Sequence, residues 1–476
     1  MKTRIYREPV DNVDATWLGT DTPTNLMVIN GIMLFDEVID FDRFEAVFQR
    51  GMVEAYRRFR QRVVEAPPGS RRLFWEDAPH FDIRSHLLHI ALPDPGDTAT
   101  LQALISSLMS ESLNRDKPLW RFYLIENYQG GCAVFGRIHH AIGDGIALIR
   151  VLLALTTDEP DPILDPERAA ADRARPSPIA TALQRMRAVS SLATGASRLA
   201  LREGVQAVTD PGHLLDLARS SALLASASAL ILAKLLLIPE DRPSEFRGDL
   251  QVIKRVLWSD PLDLQQVKQI GRTMGATIND VVVAMAAGAL RRYMLAHQGA
   301  PNAGDLRAMV PVNLRPLDAE PSLGNQFSLV YLELPVSVEL PLARLFAVKR
   351  QMDILKSSPE PLLVYQILNL LGRLPLEVAH QATDWFASKA SFVLTNVPGP
   401  QHTLYFGGKA IRRIMFWVPQ SGNISTGISI MSYDGTVTLG ISVDESLIPN
   451  PELIIEGFFL EFAEFQQLAR MAATQE

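Results

Sequence analysis

The hydrophobic period of this chain changes several times, and the changes mark out its elements. Residues 25–34 are an apolar run of strand length. Residues 42–62 carry Phe44, Val47, Phe48 and Met52 at helical spacing, and residues 98–113 repeat the pattern through Leu101, Leu104, Ile105 and Leu108. Residues 118–126 (PLWRFYLIE) and 132–140 read as two strands. Between them, Asn127-Tyr128-Gln129-Gly130-Gly131 supplies turn chemistry, so the pair predicts a hairpin. Pro118 is tolerated as the first residue of a strand, where its missing N–H costs little. With the turn centred near Tyr128 and Gln129, Pro118 and Leu119 lie opposite His139 and His140. Residues 146–155 then read as an apolar helix.

Residues 157–180 are rich in Asp, Pro and Ala and mark a boundary, and 181–238 look helical throughout, as a crossover between two halves would. In the second half, 261–274 and 277–295 read as helices, and 307–313, 328–334 and 391–395 as strands. A hairpin spans 424–443 around Tyr433-Asp434-Gly435, and an amphipathic helix over 452–471 closes the chain. The division is residues 1–160, a helical connector over 161–248, and a second half over 249–476. At 476 residues the chain is too long for one compact core, which makes it an α/β protein of two domains.

Composition narrows the function. With 47% hydrophobic and 21% charged residues the chain is a folded protein rather than a disordered one. Its mean hydropathy of +0.08 leaves room for an apolar tunnel or a membrane-facing patch. The net charge of −7 and pI near 5.8 argue against nucleic acid as a partner. The arginine pairs Arg71-Arg72, Arg291-Arg292 and Arg412-Arg413 never extend into a basic run. Cys132 is the single cysteine and sits in an apolar stretch, where it reads as a small buried hydrophobe in a reducing compartment. Met1-Lys2-Thr3-Arg4 leads into polar sequence, which predicts no secretory leader and a cytosolic location. Residues 222–238 (ALLASASALILAKLLLI) are shorter than the roughly 20 apolar residues of a membrane span and carry Lys234. They read as a buried helix or one lying at a membrane surface.

The chemistry concentrates at His139-His140-Ala141-Ile142-Gly143-Asp144-Gly145. A histidine at a strand end can accept a hydroxyl proton near neutral pH. Adjacent strand residues face opposite ways, so only one of the two can reach a given substrate atom; His140 is taken as the base and His139 as structural. Asp144-Gly145 reads as a tight turn, with glycine supplying positive φ, that holds the loop. Two packed core histidines are the competing reading, and residue chemistry alone leaves it open. A metal site would need three or four converging ligands, which opposite-facing histidines do not supply. No Gly-x-Ser-x-Gly element marks a serine hydrolase. Thr277 is expected to N-cap the helix that follows, with Asp280 at its third position as in a capping box. Asn279 is left for a role at the site.

His140-Ala141-Ile142-Gly143-Asp144-Gly145 resembles the HxxxDG signature of CoA-dependent acyltransferases related to chloramphenicol acetyltransferase. The doubled HHxxxDG form resembles the wax ester synthase/diacylglycerol acyltransferase family. Pro118-Leu119-Trp120, Asn279-Asp280, Val310-Pro311-Val312-Asn313-Leu314-Arg315 and Asn396-Val397-Pro398-Gly399-Pro400 look like further motifs of that family, in its order. The opening Val13-Asp14-Ala15-Thr16-Trp17-Leu18 is similar too, so the likeness runs nearly end to end. It implies two chloramphenicol-acetyltransferase-like mixed-sheet domains joined by a helical crossover, with an active-site tunnel between them. It also implies acyl transfer from acyl-CoA to a long-chain alcohol or diacylglycerol through a ternary complex, with His140 as base. Acyl-CoA is then a substrate and no cofactor is called for. Pro118, Leu119, Trp120 and Asn279 are expected to shape the channel, with Asp144 bracing the loop. The apolar run 222–238, unusually greasy for the family, adds the expectation of a peripheral place on the membrane or a lipid droplet. The connector departs from the family pattern at Phe246-Arg247-Gly248-Asp249-Leu250. Rival readings are a same-fold condensation enzyme using carrier-protein thioesters, a thioester hydrolase, and a catalytically silent lipid-binding protein.

Overall fold

The hairpin expected around Tyr128 lies in the middle of the first of two large sheets. Trp120–Tyr128 and Gly131–His139 pair antiparallel across a turn in which Gln129 and Gly130 take φ of 49° and 83°. Two-residue hairpin turns require that left-handed geometry. Trp120 pairs with Ile138, and the Leu119 carbonyl accepts the His139 N–H at 2.9 Å, so Leu119 lies opposite His139 as the register predicts. Phe122, Leu124, Val134 and Ile138 bury one face of the hairpin, and Tyr123, Ile125, Ala133 and Phe135 the other. A strand pair covered on both sides has no polar alternation, which explains its nearly continuous apolar sequence.

The computed structural model describes residues 6–67, 72–160, 237–314, 323–358, 360–371, 376–420 and 422–474. The expected helices of 181–236, and with them most of the apolar run 222–238, lie outside the described residues. Val28–Phe35 joins the first sheet antiparallel to Gly131–His139, and Leu87–Ala91 joins parallel to Trp120–Tyr128. The fifth strand, Arg413–Trp417, comes from the second half and pairs antiparallel with Val28–Phe35. The second sheet runs in the order Phe327–Leu334, Leu306–Asn313, Phe392–Pro398, Thr426–Tyr433, Thr436–Asp444, Lys254–Trp258. Leu306–Asn313, Phe392–Pro398 and Thr426–Tyr433 are mutually parallel and the other pairings antiparallel, so the sheet is mixed. The Tyr433-Asp434-Gly435 hairpin forms as expected, with φ of 44° and 73° at Asp434 and Gly435.

The buried helix Ile278–Ala296 covers the outer face of this sheet, packed against Glu452–Ala473 and Pro341–Ser357. Gly457 lets two of them approach: a Cβ there would lie 3.1 Å from Ala289 Cα. Between the sheets, Tyr123, Phe135 and Ile32 of the first meet Val256, Trp258 and Met431 of the second around Trp417. Cys132 is buried, and burial pushes its thiol up to about 11.

One expected helix is broken. The stretch 42–62 is an α-helix only over Phe41–Phe48 and continues as a π-helical turn and a short 3-10 turn, then the strand Gln61–Glu65. Gly51, inside the π-helical turn, lets that turn lie against the end of the helix Gly145–Ala154: a Cβ there would meet Leu155 Cδ2 at 2.5 Å. Gln61–Glu65 then pairs with Leu73–Asp77, in a small sheet with Arg7–Pro9 in which Arg7 and Arg62 both bind Glu76. Among the described residues no single helix is long and apolar enough to cross a membrane.

Candidate active site

His140 follows the last residue of Gly131–His139, and its N–H donates to the Met27 carbonyl at 2.8 Å. The loop after it closes on itself and on the second half. Ile142 N–H donates to the His139 carbonyl at 3.0 Å, Gly324 N–H to the Ile142 carbonyl at 3.1 Å, and Asp144 N–H to the Gly324 carbonyl at 3.2 Å. Gly324 has φ of 93°, a conformation glycine adopts without strain. Asp144 is the N-cap of Gly145–Ala154: one carboxylate oxygen accepts Ala147 N–H at 2.8 Å and the other accepts Gln326 N–H, also at 2.8 Å. The aspartate thus ties the histidine loop, its own helix and the 324–326 segment together.

This corrects one expectation. Gly145 is not a positive-φ turn residue; it opens the helix, and a Cβ added there would meet nothing within 4 Å. The loop is held by the capping aspartate and by Gly324.

The His140 ring packs against two aromatic side chains, 4.9 Å from Trp17 and 5.3 Å from Phe327 by ring centres. These two are themselves stacked 5.7 Å apart. Trp17 comes from the helix Asn12–Thr20, and Phe327 starts a strand of the second sheet. Only 7% of His140 is exposed. Burial pushes its pKa down to about 4; the Asp144 carboxylate opposes this, His139 adds to it, and the His140 carbonyl and Asn325 oppose it. The ring is therefore neutral at physiological pH, the form able to accept a proton.

His139 faces away from that pocket. Its Nδ1 accepts the Ala141 N–H at 3.1 Å, which leaves the proton on Nε2, 3.7 Å from Asp21 Oδ2. Burial would raise the Asp21 pKa, but His139, the Met27 N–H and Arg115 together lower it. Leu119 and Trp120 bury their side chains in the first core. Trp120 donates its indole N–H to the Phe59 carbonyl at 2.8 Å and stacks 4.4 Å from His86. Thr277 and Asp280 form the expected capping box, each side chain accepting the other's N–H. Asn279 accepts from Asn396 Nδ2 at 2.7 Å, joining two of the sequence motifs side chain to side chain.

Sequence reasoning did not single out Asn325 or Phe327. Asn325 donates from Nδ2 to Asp14 Oδ1 at 2.7 Å and to the His140 carbonyl at 2.8 Å. Asp14 is 2% exposed, and burial pushes its carboxyl up to about 7 against the pull of Asn325 and Arg58. The local signal, Gly324-Asn325 ahead of a strand, reads only as turn chemistry until its partners from the first half are seen.

Two mixed sheets with a buried HHxxxDG histidine held between them define the fold class of CoA-dependent acyltransferases and condensation domains. The wax ester synthase/diacylglycerol acyltransferase catalytic domain matches residues 10–282, and the WS/DGAT C-terminal domain matches residues 323–466. The chain belongs to the wax ester synthase/diacylglycerol acyltransferase family and is an O-acyltransferase. A putative diacylglycerol O-acyltransferase of Mycobacterium tuberculosis is 28% identical over 469 residues, covering 95% of this chain and 88% of that one. In fold, the chain is similar to the wax ester synthase/diacylglycerol acyltransferase from Marinobacter aquaeolei. That match has a TM-score of 0.66 at 20% identity and covers 97% of this chain and 100% of the other. The starter condensation domain of rhizomide synthetase, solved as a mutant with C8-CoA and Leu-SNAC, also shares the fold. Its TM-score is 0.55 at 14% identity, covering 98% of this chain and 94% of that one.

Proposed function

We propose that the chain moves a long-chain acyl group from acyl-CoA to a fatty alcohol or diacylglycerol, making wax esters, triacylglycerol or both, with His140 as general base. The observation that carries this reading is the state of His140: a neutral imidazole, packed against the stacked Trp17 and Phe327, on a loop braced by both halves of the chain. The names of its relatives support the acceptor classes, and the C8-CoA held by a fold neighbour supports the donor class.

In the ternary complex the imidazole takes the hydroxyl proton as the alcohol oxygen attacks the thioester carbonyl. The tetrahedral intermediate collapses with cleavage of the C–S bond, and the imidazolium returns its proton to the CoA thiolate. Atoms and charge balance without an acyl-enzyme. General-base assistance of this kind contributes about 10²–10⁴-fold. Asp144 sets the loop rather than meeting substrate, since both its oxygens take backbone N–H groups. His139 and the Pro118-Leu119-Trp120 segment hold the strand end. Asn279, linked to Asn396, is the residue assigned to the channel wall.

Work at a lipid surface belongs to the same reading. Leu237, Val378 and Trp385 are exposed apolar side chains. Val378 and Trp385 are seven apart on the helix Leu376–Ala387, so they share a face. Lys389 lies over the Trp385 ring at 3.8 Å and also bonds the Ile238 carbonyl, which brings the end of the apolar run 222–238 beside that helix. This patch supports peripheral attachment to a membrane or lipid droplet.

The test is CoA release from palmitoyl-CoA, with and without hexadecanol or dipalmitoylglycerol, for the unaltered protein and for His140→Ala. Alcohol-dependent release that drops by about 10² or more in the variant supports the reading. Release unaffected by the variant removes His140 from the mechanism, and release that ignores the alcohol makes the protein a thioester hydrolase.

A further inference from the structure

Asn325 meets His140 at its main chain. Its Nδ2 lies within hydrogen-bond distance of two acceptors, Asp14 Oδ1 and the His140 carbonyl, so both amide protons are engaged. The opposite amide orientation would set an oxygen against two acceptors, so the network fixes the orientation. Its own Oδ1 is buried without a hydrogen bond, and the side chain also acts on the His140 ring, whose pKa it raises against burial.

Asp14 and Trp17 are three residues apart on the helix Asn12–Thr20 and share a face. That face meets His140 twice: Trp17 against the ring, and Asp14 through Asn325 at the carbonyl. The 2.7 Å bond to the Asp14 carboxyl anchors one N–H of the amide, which keeps the other aimed at the His140 carbonyl 2.8 Å away. The carboxyl is kept there against burial, with Arg58 in its field and Asp11 adding to the upward push. Buried titratable groups held at such a cost cluster at functional sites.

We infer that Asp14 and Asn325 are a pair of positioning residues for acyl transfer. Asn325 divides its amide protons between the Asp14 carboxyl oxygen and the His140 carbonyl, so that the first helix and the second half fix the base together. This rests on His140 being the general base. It adds that the base's backbone is set by a side-chain relay outside the HHxxxDG segment, and that Asp14 acts only through Asn325.

The experiment measures kcat and KM for palmitoyl-CoA at saturating hexadecanol, per folded enzyme. Asn325→Leu is close in size and has no proton to give. It is expected to lower kcat by about 10- to 100-fold while KM stays within about threefold, because a misplaced base costs turnover rather than binding. Asp14→Leu is expected to lose about tenfold, and Asp14→Asn, which keeps an acceptor oxygen, to stay within about threefold of the unaltered kcat. Asp14→Leu combined with Asn325→Leu should be no slower than Asn325→Leu alone, because residues acting in series do not add. Should a leucine variant fail to fold, Asn325→Ala takes its place in the same comparison.

A kcat within about threefold of the unaltered protein in Asn325→Leu or Asn325→Ala overturns the inference, and so does a double variant whose losses multiply. Turnover that survives His140→Ala overturns the assignment of the base and the relay with it. Turnover abolished by His140→Ala but untouched by the Asn325 variants overturns the relay alone.

Discussion

Replacing Asp14 with Asn isolates the cost of keeping a carboxyl inside this site. The folded-state pKa is pushed up from 3.8 to about 7, first by burial, with Asn325 and Arg58 opposing and Asp11 adding. A carboxyl whose folded pKa exceeds its unfolded one binds more protons when folded. Its contribution to stability is therefore intact below about pH 4 and is lost as pH rises through 7. A shift of about three units, at 1.36 kcal/mol each, makes the pH-dependent loss about 4 kcal/mol, of which about 3 kcal/mol falls between pH 5 and pH 8. Asn has no such titration. The stability of Asp14→Asn relative to the unaltered protein should therefore rise by that amount across the range, whatever the offset at pH 5. Urea midpoints followed by tryptophan fluorescence at several pH values supply the measurement. His140, Glu8, Arg58 and Asp11 are present in both proteins, so their titrations cancel in the difference to the extent that they are independent of Asp14. Parallel stability curves from pH 5 to 8 would show that Asp14 titrates as an ordinary surface carboxyl, and the account of its burial would be wrong.

Three further outcomes are expected. His140 has its pKa pushed down to about 4, so the neutral base persists well below its ordinary 6.5. The acid limb of kcat/KM that reports it should then lie below about pH 5, and a limb near 6.5 assigned to His140 by its loss in a variant would refute that. Gly145→Ala places its methyl in open space at a helix start, so unfolding measurements should show stability unchanged or raised by about 0.4–1 kcal/mol; a loss above about 1 kcal/mol would contradict the geometry. Trp385→Ala should weaken flotation with vesicles of neutral and anionic phospholipid while palmitoyl-CoA turnover with a detergent-dispersed alcohol is unchanged, and equal flotation of the two proteins would remove this patch as a lipid contact.

What the sequence displays are the parts of the fold that rest on local rules. The Tyr128 and Tyr433 hairpins are legible because their turns need left-handed residues, which Gln129-Gly130 and Asp434-Gly435 supply. The Thr277–Asp280 capping box is legible because both partners lie within one turn. The helix expected over 42–62 gives way to a π-helical turn that packs Gly51 on Leu155, a distant contact that the local period does not record. Asp144-Gly145 has the composition of a tight turn and is instead a cap and a first helical residue, two uses that the dipeptide alone does not separate.

The site shows the same division more sharply. His140 and Asp144 sit four residues apart and can be read together, but what holds them is scattered. Trp17 and Asp14 come from the first helix, Gly324, Asn325 and Phe327 from the second half, and Arg413–Trp417 crosses back to complete the sheet that carries the histidine. Such partners are chosen by the packing of two halves, and no periodicity along the chain records them. The consequence is mechanical as well as interpretive. Four of the contacts that fix the loop pass between the halves: Gly324 N–H to Ile142, Asp144 N–H to Gly324, Gln326 N–H to Asp144, and Asn325 to the His140 carbonyl. A shift of one half against the other would strain the base's loop together with the Arg413–Trp417 pairing in the first sheet and the shared core around Trp417. The joint between the halves is therefore part of what sets the base.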